Sequence, residues 1–391
     1  KLPSEQLISV SHRQPYSHHH ENGKISWSTP ASGLVTALEP IMKACKGTWI
    51  AVSTGDADAD VVDAHGCVSV PPDNPAYKLK RLWLEKEEEK GFYAGFANEG
   101  IWPLCNMAYI KPRFRPRDWE HYQAVNRKFA DAIVAEATSD RPIIFIQDYH
   151  FALLPQYIRE KLPNALIICF WHIPWPNSEV FGILPWRREF LSGMLAADIV
   201  GFHTRYMCNN FLDCVDAYVE SLIDREHHKI MRGNSICAVS PYPISIAWPE
   251  ETMEPSIAGC REQLLKNLEI MPGTKILLGV ERLDYVKGIP ERLRAFELLL
   301  EKYPGWRGKV VFVQIASPSR SVIPAYANLS QEIEEQAEKI NVRFRMKEWQ
   351  PIHLLKRNFN PTEVYRFYRA ADACVVSSLH DGMNLVAKEF V

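Results

Sequence analysis

The chain has 391 residues, of which 47% are hydrophobic and 24% are charged, and its formal net charge is −2. A chain of this length is too long for one ordinary core and suits two domains. The near-neutral charge argues against a nucleic-acid partner, which would normally require a basic face. No apolar stretch approaches the ~20 residues that cross a bilayer, so the sequence predicts no membrane segment.

The cysteines and the two chain ends carry further expectations. Nine cysteines are scattered without a CxxC pair, which indicates neither a disulfide framework nor a zinc site. The opening residues lack the apolar region of a signal peptide. We therefore expect a cytoplasmic protein with reduced thiols; its oligomeric state is left open, with a homo-oligomer as one alternative. The chain stops inside an expected helix, which predicts a second domain that is incomplete at its C-terminus.

Apolar runs and amphipathic runs alternate along the chain, which predicts an α/β fold with parallel sheets. In the first half, strands are expected at 7–11, 143–146, 166–170 and 199–202, and helices at 33–43 and 118–137. In the second half, strands are expected at 275–280, 310–315 and 373–377, and helices at 290–302, 325–340 and 382–391. A proline-rich connection at 242–250 predicts two domains, 1–245 and 246–391.

Three consecutive histidines, His18 to His20, precede the turn signal Asn22-Gly23. Consecutive side chains do not converge on one ion, so the run does not indicate a metal site. A solvated hairpin tip is the expected structure.

The segment 280–288, VERLDYVKG, carries two cations between a strand and a helix. It follows the apolar run 275–279 and precedes an amphipathic helix with Pro290 in its first turn. Arg282 and Lys287 are therefore expected at the carboxyl end of a strand, where ligands bind in open α/β sheets. Two fixed cations beside a helix N-terminus form a site for a doubly charged phosphate. An arbitrary pair of this kind would more often be solvated surface charge.

A second motif, 381–389 (DGMNLVAKE), follows a strand and is expected to open a helix. Gly382 would let the backbone approach a ligand closely. The first amides of such a helix have no intrahelical partner and would face the ligand; they belong to Met383, Asn384 and Leu385. Glu389 lies about two turns beyond Asp381 and would suit a ribose diol.

VERLDYVKG together with DGMNLVAKE resembles the trehalose-6-phosphate synthase family. The match continues with VSHR at 10–13, IWP at 101–103, QDYH at 147–150, FWHIPWP at 170–176, YPISI at 242–246 and IASPSR at 315–320. The resemblance implies a retaining glucosyltransferase of GT-B architecture, with two Rossmann-like domains facing each other across a cleft. It implies transfer of glucose from UDP-glucose, or another nucleoside-diphosphate glucose, to glucose 6-phosphate, giving α,α-trehalose 6-phosphate. The N-terminal domain would bind the acceptor and the C-terminal domain the donor.

The resemblance also assigns the donor-binding residues. It implies that Arg282 and Lys287 grip the diphosphate and stabilise the charge that develops on the leaving β-phosphate. The amides of 383–385 would contact the donor, Asp381 would lie near the glucose hydroxyls, and Glu389 would bind the ribose. Gly33 stands where the family has a double glycine before the first helix. Because the two cations take the role of a divalent ion, neither a metal nor a cofactor is expected.

For the acceptor, the resemblance implies a phosphate site formed by Arg13, Tyr93 and Arg320. Trp102 would pack against the acceptor sugar, although an aromatic residue beside a proline is more often part of a core. Each of these residues, taken alone, would have no special meaning.

Two further residues follow adjacent strands of the first domain. Taken as a catalytic carboxylate, Asp148 would be a nucleophile in a double displacement. The family is instead thought to react on one face, with the leaving diphosphate accepting the proton of the incoming hydroxyl. On that basis Asp148 orients acceptor hydroxyls, and His172 contacts the donor glucose near its C6 hydroxyl.

Departures from the family pattern leave the acceptor and the nucleotide open. Gln147 replaces a histidine, Ser245 a glycine, and His380 an arginine of the usual motifs. The segment 12–16 resembles the corresponding segment of a sister group, the glucosylglycerol-phosphate synthases. Those enzymes typically use ADP-glucose and glycerol 3-phosphate. Arg320 is less expected in that group and favours glucose 6-phosphate. A non-catalytic regulator that only binds sugar phosphates would have lost one of the two motifs, and both are present.

Overall fold

The computed structural model describes residues 6–30, 33–108, 110–246, 255–320 and 322–391. The chain divides into two compact units, Lys1–Ile244 (unit 1) and Ser245–Val391 (unit 2). Each unit is a sheet of mostly parallel strands with helices packed on it. The predicted α/β class is confirmed.

Unit 1 contains a ten-stranded sheet and a separate hairpin. Its strands are β1 (Leu7–Arg13), β2 (Ser17–Glu21), β3 (Lys24–Ser28), β4 (Thr48–Val52), β5 (Cys67–Val70), β6 (Tyr77–Leu82), β7 (Ile143–Gln147), β8 (Leu166–Phe170), β9 (Ile199–Phe202), β10 (Leu222–Asp224), β11 (Lys229–Arg232) and β12 (Ser235–Pro241). The sheet has the order β10-β11-β12-β9-β8-β7-β1-β4-β6-β5. Its strands from β12 to β6 are parallel, and the outer strands at both edges are antiparallel.

The helices of unit 1 connect these strands. They are α1 (Gly33–Cys45), α2 (Lys86–Glu89), α3 (Trp102–Asn106), α4 (Pro116–Glu136), α5 (Leu154–Lys161), α6 (Ser178–Phe181), α7 (Arg187–Met194) and α8 (Arg205–Tyr218). A π-helical segment, Lys90–Ile101, runs from α2 into α3. Within the described residues, no helix combines the length and the apolar character needed to cross a membrane.

The central strands of unit 1 bring three loops to one edge of the sheet. β1, β7 and β8 are neighbours and parallel, and β1 is buried at every position except its last residue. Because neighbouring parallel strands end on the same side, the loops that follow Arg13, Gln147 and Phe170 begin at the same edge.

Unit 2 contains a four-stranded parallel sheet in the order β15-β14-β13-β16. Its strands are β13 (Lys275–Arg282), β14 (Val310–Ser317), β15 (Ile352–Leu355) and β16 (Ala373–Cys374). Its helices are α9 (Ile257–Asn267), α10 (Ile289–Lys302), α11 (Pro324–Phe344), α12 (Pro361–Ala370) and α13 (Val386–Phe390). The strand expected at 373–377 is shorter than predicted and ends at Cys374. Beyond it, the hydroxyl of Ser377 donates to the backbone oxygen of Gly288 at 3.1 Å.

The hairpin of β2 and β3 corrects the expectation for the histidine run. Asn22 and Gly23 form its turn, with φ values of 51° and 76°, as two-residue hairpin turns require. His18 lies in β2 and is only 5% exposed, so the predicted solvated tip is wrong for this residue. Its Nδ1 lies 2.7 Å from Nη2 of Arg81.

Arg81 and Asp58 form an ion pair whose two side chains are completely buried, with Nη2 3.0 Å from Oδ1. The Asp58 carboxylate also accepts hydrogen bonds from Gln14 Nε2 at 2.6 Å and from the Gly55 amide at 2.8 Å. Buried charges are tolerated when they are paired and hydrogen-bonded in this way. The pair ties the backbone that follows β1, and therefore the neighbourhood of Arg13, to the loop that follows β4.

Replacing Arg81 by methionine should lower the free energy of unfolding by about 3–5 kcal/mol, because Asp58 would remain as a buried charge without its partner. Urea denaturation measures the change. Arg141→Met, at an exposed position, is the matched control and should alter stability by less than about 0.5 kcal/mol. Equal effects of the two substitutions would contradict the structural role of the buried pair.

Candidate functional site

The two cations of the first motif lie on the connection between β13 and α10. Arg282 is the last residue of β13, and Lys287 belongs to a short 3₁₀ turn, Tyr285–Lys287, before α10. Gly288 follows with a φ of 64°, and a Cβ at this position would lie 2.3 Å from the backbone oxygen of Ser377. Only glycine permits this approach, which holds the connection against the start of the second motif.

An ion pair between Lys287 and Asp381 joins the two motifs. Lys287 Nζ lies 2.5 Å from Asp381 Oδ2, and the side chains are 13% and 23% exposed. The backbone adds a hydrogen bond from the Leu379 amide to the Val286 oxygen at 2.7 Å. Two segments that are more than 90 residues apart in sequence therefore form one surface at the carboxyl end of β13.

Arg282 and Arg320 both face the carboxylate of Asp284. Arg320 Nη1 lies 3.0 Å from Asp284 Oδ2, and Arg282 Nη2 lies 3.9 Å from the same oxygen. Arg320 also donates to the hydroxyl of Tyr326 at 2.6 Å. The Arg320 side chain is 5% exposed and that of Arg282 is 37% exposed. Of the two charges, that of Arg282 is the more available to a ligand of unit 2.

A buried arginine of α10 organises this connection. Arg292 is 3% exposed. Its guanidinium donates to Ser377 Oγ at 3.0 Å, to Gln314 Oε1 at 2.9 Å, to Glu281 Oε1 at 3.2 Å and to the Lys287 backbone oxygen at 3.4 Å. One side chain thus contacts β13, β14, the turn of Lys287 and the segment that leads to Asp381.

Glu281 supplies the charge that balances Arg292, and the two side chains are 2% and 1% exposed. Burial raises the pKa of the Glu281 carboxyl, and the charges of Lys287 and Arg292 oppose that rise. The sequence contains a signal for this pair. Arg292 lies on the same stripe of α10 as Ile289 and Phe296, which are buried, and a charged residue on an apolar stripe indicates a buried partner.

The second motif does not open a helix at Gly382, so that prediction is wrong. α13 begins at Val386, and the residues whose amides were expected in its first turn lie in the preceding loop: Met383, Asn384 and Leu385. Asn384 lies just before this start: its Oδ1 accepts a hydrogen bond from the Ala387 amide at 3.1 Å, while its Nδ2 donates to Asp381 Oδ2 at 3.3 Å. These bonds tie the loop to the first turn of α13, whose N-cap residue is Leu385.

Glu389, the residue expected at the ribose, is bonded within unit 2. Its Oε2 accepts a hydrogen bond from the hydroxyl of Tyr368 at 2.8 Å. Burial and the nearby carboxylate raise the pKa of Tyr368 well above its usual value, so the tyrosine remains a hydrogen-bond donor. The contact fixes one carboxylate oxygen of Glu389 relative to α12.

In unit 1, Asp148 and His172 are brought together by the adjacent strands β7 and β8. Asp148 Oδ1 accepts a hydrogen bond from the His172 amide at 3.1 Å, and the Asp148 amide donates to the Phe170 oxygen at 2.7 Å. Asp148 has a φ of 72°, a costly conformation for a residue other than glycine. Such strain is held in place by surrounding structure and is common at functional sites.

His172 is a neutral imidazole at physiological pH. Its ring lies 5.4 Å from that of His203 and 4.6 Å from that of Phe170. The surrounding protein atoms displace water from the ring and so disfavour its charged form, which lowers the pKa of His172 to about 3; His203 makes a smaller contribution. The residue nevertheless stays partly exposed. A neutral ring of this kind can exchange hydrogen bonds with a hydroxyl, and it does not act as a cation.

Of the remaining candidates of unit 1, Tyr93 contacts the residue next to Arg13. Arg13 is the last residue of β1, and Gly33 is the first residue of α1, where it is exposed. Tyr93 lies in the π-helical segment, and its ring stacks on that of His12 at 4.1 Å and 8°. Segments of π-helix occur frequently at functional sites.

Trp102 begins α3 and is 6% exposed, with its ring 5.7 Å from that of Tyr149. It is therefore part of the core of unit 1, next to the residue that follows Asp148. Within the described ranges, no cluster of three or more His, Cys, Asp or Glu side chains is arranged to hold a metal ion.

Comparison with known proteins gives a consistent result. A protein of Schizosaccharomyces pombe named α,α-trehalose-phosphate synthase [UDP-forming] is 34% identical over 403 residues, which is 99% of this chain and 75% of the relative. An Escherichia coli structure solved with UDP-2-fluoro glucose bound has a TM-score of 0.83 at 30% identity, covering 99% of this chain and 81% of that one. A synthase of the same name from Burkholderia xenovorans, solved in complex with glucose 6-phosphate, has a TM-score of 0.82 at 28% identity, covering 98% and 82%.

These similarities extend over nearly the whole chain and confirm the GT-B fold type. The model of one protein family, described as glycosyltransferase family 20, matches residues 5–391. The protein belongs to glycosyltransferase family 20.

Proposed function

We propose that the protein transfers glucose from UDP-glucose to glucose 6-phosphate with retention of anomeric configuration, giving α,α-trehalose 6-phosphate and UDP. The single observation that carries the proposal is the contact between Lys287 and Asp381, which joins the two motifs on one surface beside Arg282. The names and ligands of the relatives indicate the same reaction.

On the donor side, Arg282 and Lys287 bind the diphosphate. Cleavage of the bond between the anomeric carbon and the β-phosphate oxygen leaves negative charge on that phosphate. Cations already in place stabilise this charge more in the transition state than in the bound substrate, which is what accelerates the step. Since these cations fulfil the role of a divalent ion, the proposed reaction needs no metal and no cofactor.

The loop of the second motif completes the donor site in this proposal. Asp381, released from Lys287, binds glucose hydroxyls, and the buried Gly382 lets the backbone lie close to the donor. Loop amides, rather than helical ones, contact the donor at Met383, Asn384 and Leu385. Glu389 retains one carboxylate oxygen for the ribose while the other stays bonded to Tyr368. Gly33, at the exposed start of α1, is proposed as a further donor contact from unit 1.

On the acceptor side, Arg13 and Tyr93 of unit 1 bind the phosphate of glucose 6-phosphate, together with Arg320 of unit 2. Arg13 ends a central strand, and Tyr93 is held by its stack on His12. Trp102 supports the acceptor sugar from the core. The proposal thus assigns acceptor binding mainly to 1–245 and donor binding mainly to 246–391.

The chemistry that we propose takes place on one face of the sugar. The acceptor hydroxyl attacks the anomeric carbon from the side that the diphosphate leaves, and the departing β-phosphate oxygen takes the hydroxyl proton. Asp148 orients acceptor hydroxyls, a role supported by the bond that fixes its carboxylate to the His172 amide. His172 contacts the donor glucose near its C6 hydroxyl.

A cytoplasmic setting is proposed for this reaction. The nine cysteines form no disulfide, and unpaired thiols are the usual state in a reducing compartment.

An assay with purified protein tests the reaction itself. UDP-, ADP- and GDP-glucose are each combined with glucose 6-phosphate or glycerol 3-phosphate, and the products are identified by mass. We expect a disaccharide phosphate from UDP-glucose and glucose 6-phosphate, and undiminished activity with EDTA. A glycerol product would identify the sister activity, and binding of both substrates without any product would indicate a regulator.

Removing either cation should slow turnover strongly. Arg282→Met and Lys287→Met should each reduce kcat by about 10²–10³-fold, the effect typical of losing one group that stabilises developing negative charge. Lys302→Met, at the exposed end of α10, should leave kcat unchanged. Near wild-type kcat in either of the first two variants would refute the charge-stabilising role.

Arg292 should act on the reaction through Lys287. Lysine in its place keeps the charge but cannot reach four acceptors, so Arg292→Lys should lower kcat/KM for the donor by about 10²-fold, as expected when a catalytic group is misplaced by about 1 Å. The KM for the acceptor should stay constant. Arg294→Lys, at an exposed position of the same helix, is the control. Parallel losses for donor and acceptor would show that Arg292 supports only the fold.

A further inference from the structure

Gln147, the last residue of β7, is bonded to the imidazole of His172. Its Oε1 lies 2.9 Å from Nε2 of His172, and Gln147 is 1% exposed. The bond joins the ends of two neighbouring strands, directly beside Asp148. His172 Nδ1 makes no hydrogen bond within the part of the chain that the structure describes, and the residue is partly exposed.

The other end of the Gln147 amide has no partner in the described part of the chain. Its Nε2 is buried and makes no hydrogen bond to any described residue. A buried polar group of this kind costs free energy and is rare in folded proteins. Gln147 therefore bonds His172 in a position where its own Nε2 loses the hydrogen bonds it would make in water. This cost indicates that the bond to the imidazole has a role beyond packing.

An amide oxygen can only accept a hydrogen bond, and this decides the state of the histidine. A neutral imidazole has one N–H donor and one bare nitrogen. With the Gln147 amide oriented so that its oxygen faces the ring, this hydrogen bond requires the proton on Nε2, and Nδ1 is left with a lone pair. Since glutamine does not titrate, the arrangement is independent of pH as long as His172 stays neutral.

The groups packed around His172 are compatible with a neutral ring. Asp148 directs one carboxylate oxygen at the His172 backbone amide, at 3.1 Å. His203 packs edge to face at 5.4 Å and disfavours a second positive charge. Phe170 covers one side of the ring at 4.6 Å. None of these contacts uses His172 Nε2, so all of them are compatible with its bond to Gln147 Oε1.

We propose that Gln147 is a positioning residue that holds His172 in the Nε2–H tautomer, so that Nδ1 accepts a hydrogen bond from a hydroxyl of the donor sugar. This inference deepens the proposed function and rests on it. It gives Gln147 a part in selecting the donor sugar. An unprotonated Nδ1 accepts a hydrogen bond from a sugar hydroxyl, and it makes no such bond with a sugar that lacks this hydroxyl.

The tautomer can be measured without any substrate. In the full chain labelled with ¹⁵N-histidine, the His172 signals are identified by their loss in His172→Gln. We expect a protonated Nε2, a bare Nδ1 and no titration between about pH 5 and 8. In Gln147→Leu the two tautomers should interconvert. A protonated Nδ1 in the unaltered chain, or the same spectrum in Gln147→Leu, would overturn the inference.

Kinetics separate positioning from structural support. Gln147→Leu should raise the KM for the nucleotide sugar about three- to tenfold, the usual effect of one neutral hydrogen bond, and leave the KM for the acceptor unchanged. Gln156→Leu, on α5, is the control and should change neither. An equal change in both KM values would contradict the inference.

A charged replacement gives a pH signature. In Gln147→Glu the carboxylate still accepts from Nε2, but its charge raises the pKa of His172. Below that raised pKa, Nδ1 also carries a proton and its lone pair is lost. Activity should therefore fall toward acid pH in Gln147→Glu and not in the unaltered chain. An active enzyme without this difference refutes the inference alone, whereas an inactive chain with the Nε2–H signal refutes the proposed function.

Discussion

The buried ion pair of Arg292 and Glu281 is the constraint on which the proposed donor site of unit 2 depends. A guanidinium removed from water must have its donors satisfied, and here the acceptors are a strand, a second strand, a turn and a loop. Their distances to Arg292 cannot vary independently. The turn that carries Lys287 and the segment that leads to Asp381 are therefore fixed relative to each other by one side chain, and the φ of 64° at Gly288 permits the close approach.

Unit 1 contains a comparable arrangement. Arg81 and Asp58 are buried together, and their hydrogen bonds hold the residues that follow β1. In both units a fully paired arginine lies beneath a loop at the carboxyl end of parallel strands. In unit 2 that loop carries Lys287, and in unit 1 it begins directly after Arg13. Buried ion pairs contribute little net stability compared with apolar replacements. Their value here is that they specify one loop conformation.

Much of the fold could be predicted from the sequence, because helices such as Pro116–Glu136 carry a periodic apolar pattern and strands such as Val310–Ser317 are nearly continuous apolar runs. The motifs led to the surface where Lys287 meets Asp381. Features set by distant partners could not be predicted. The acceptors of Arg292 include Gln314, which is 22 residues away, and the pair of Arg81 and Asp58 joins positions that are 23 residues apart. A local pattern does not encode such bonds.

The contact of Lys287 with Asp381 has a consequence for turnover. The ammonium group already holds an anion, so in the proposed reaction the diphosphate of the donor replaces one counter-ion of the lysine and does not bind a lone cation. Little desolvation remains to be done at that moment. After the glucose has been transferred, the Asp381 carboxylate is again available at a high local concentration beside Lys287. In the proposed reaction it competes with the nucleoside diphosphate product for the lysine and so favours release of that product.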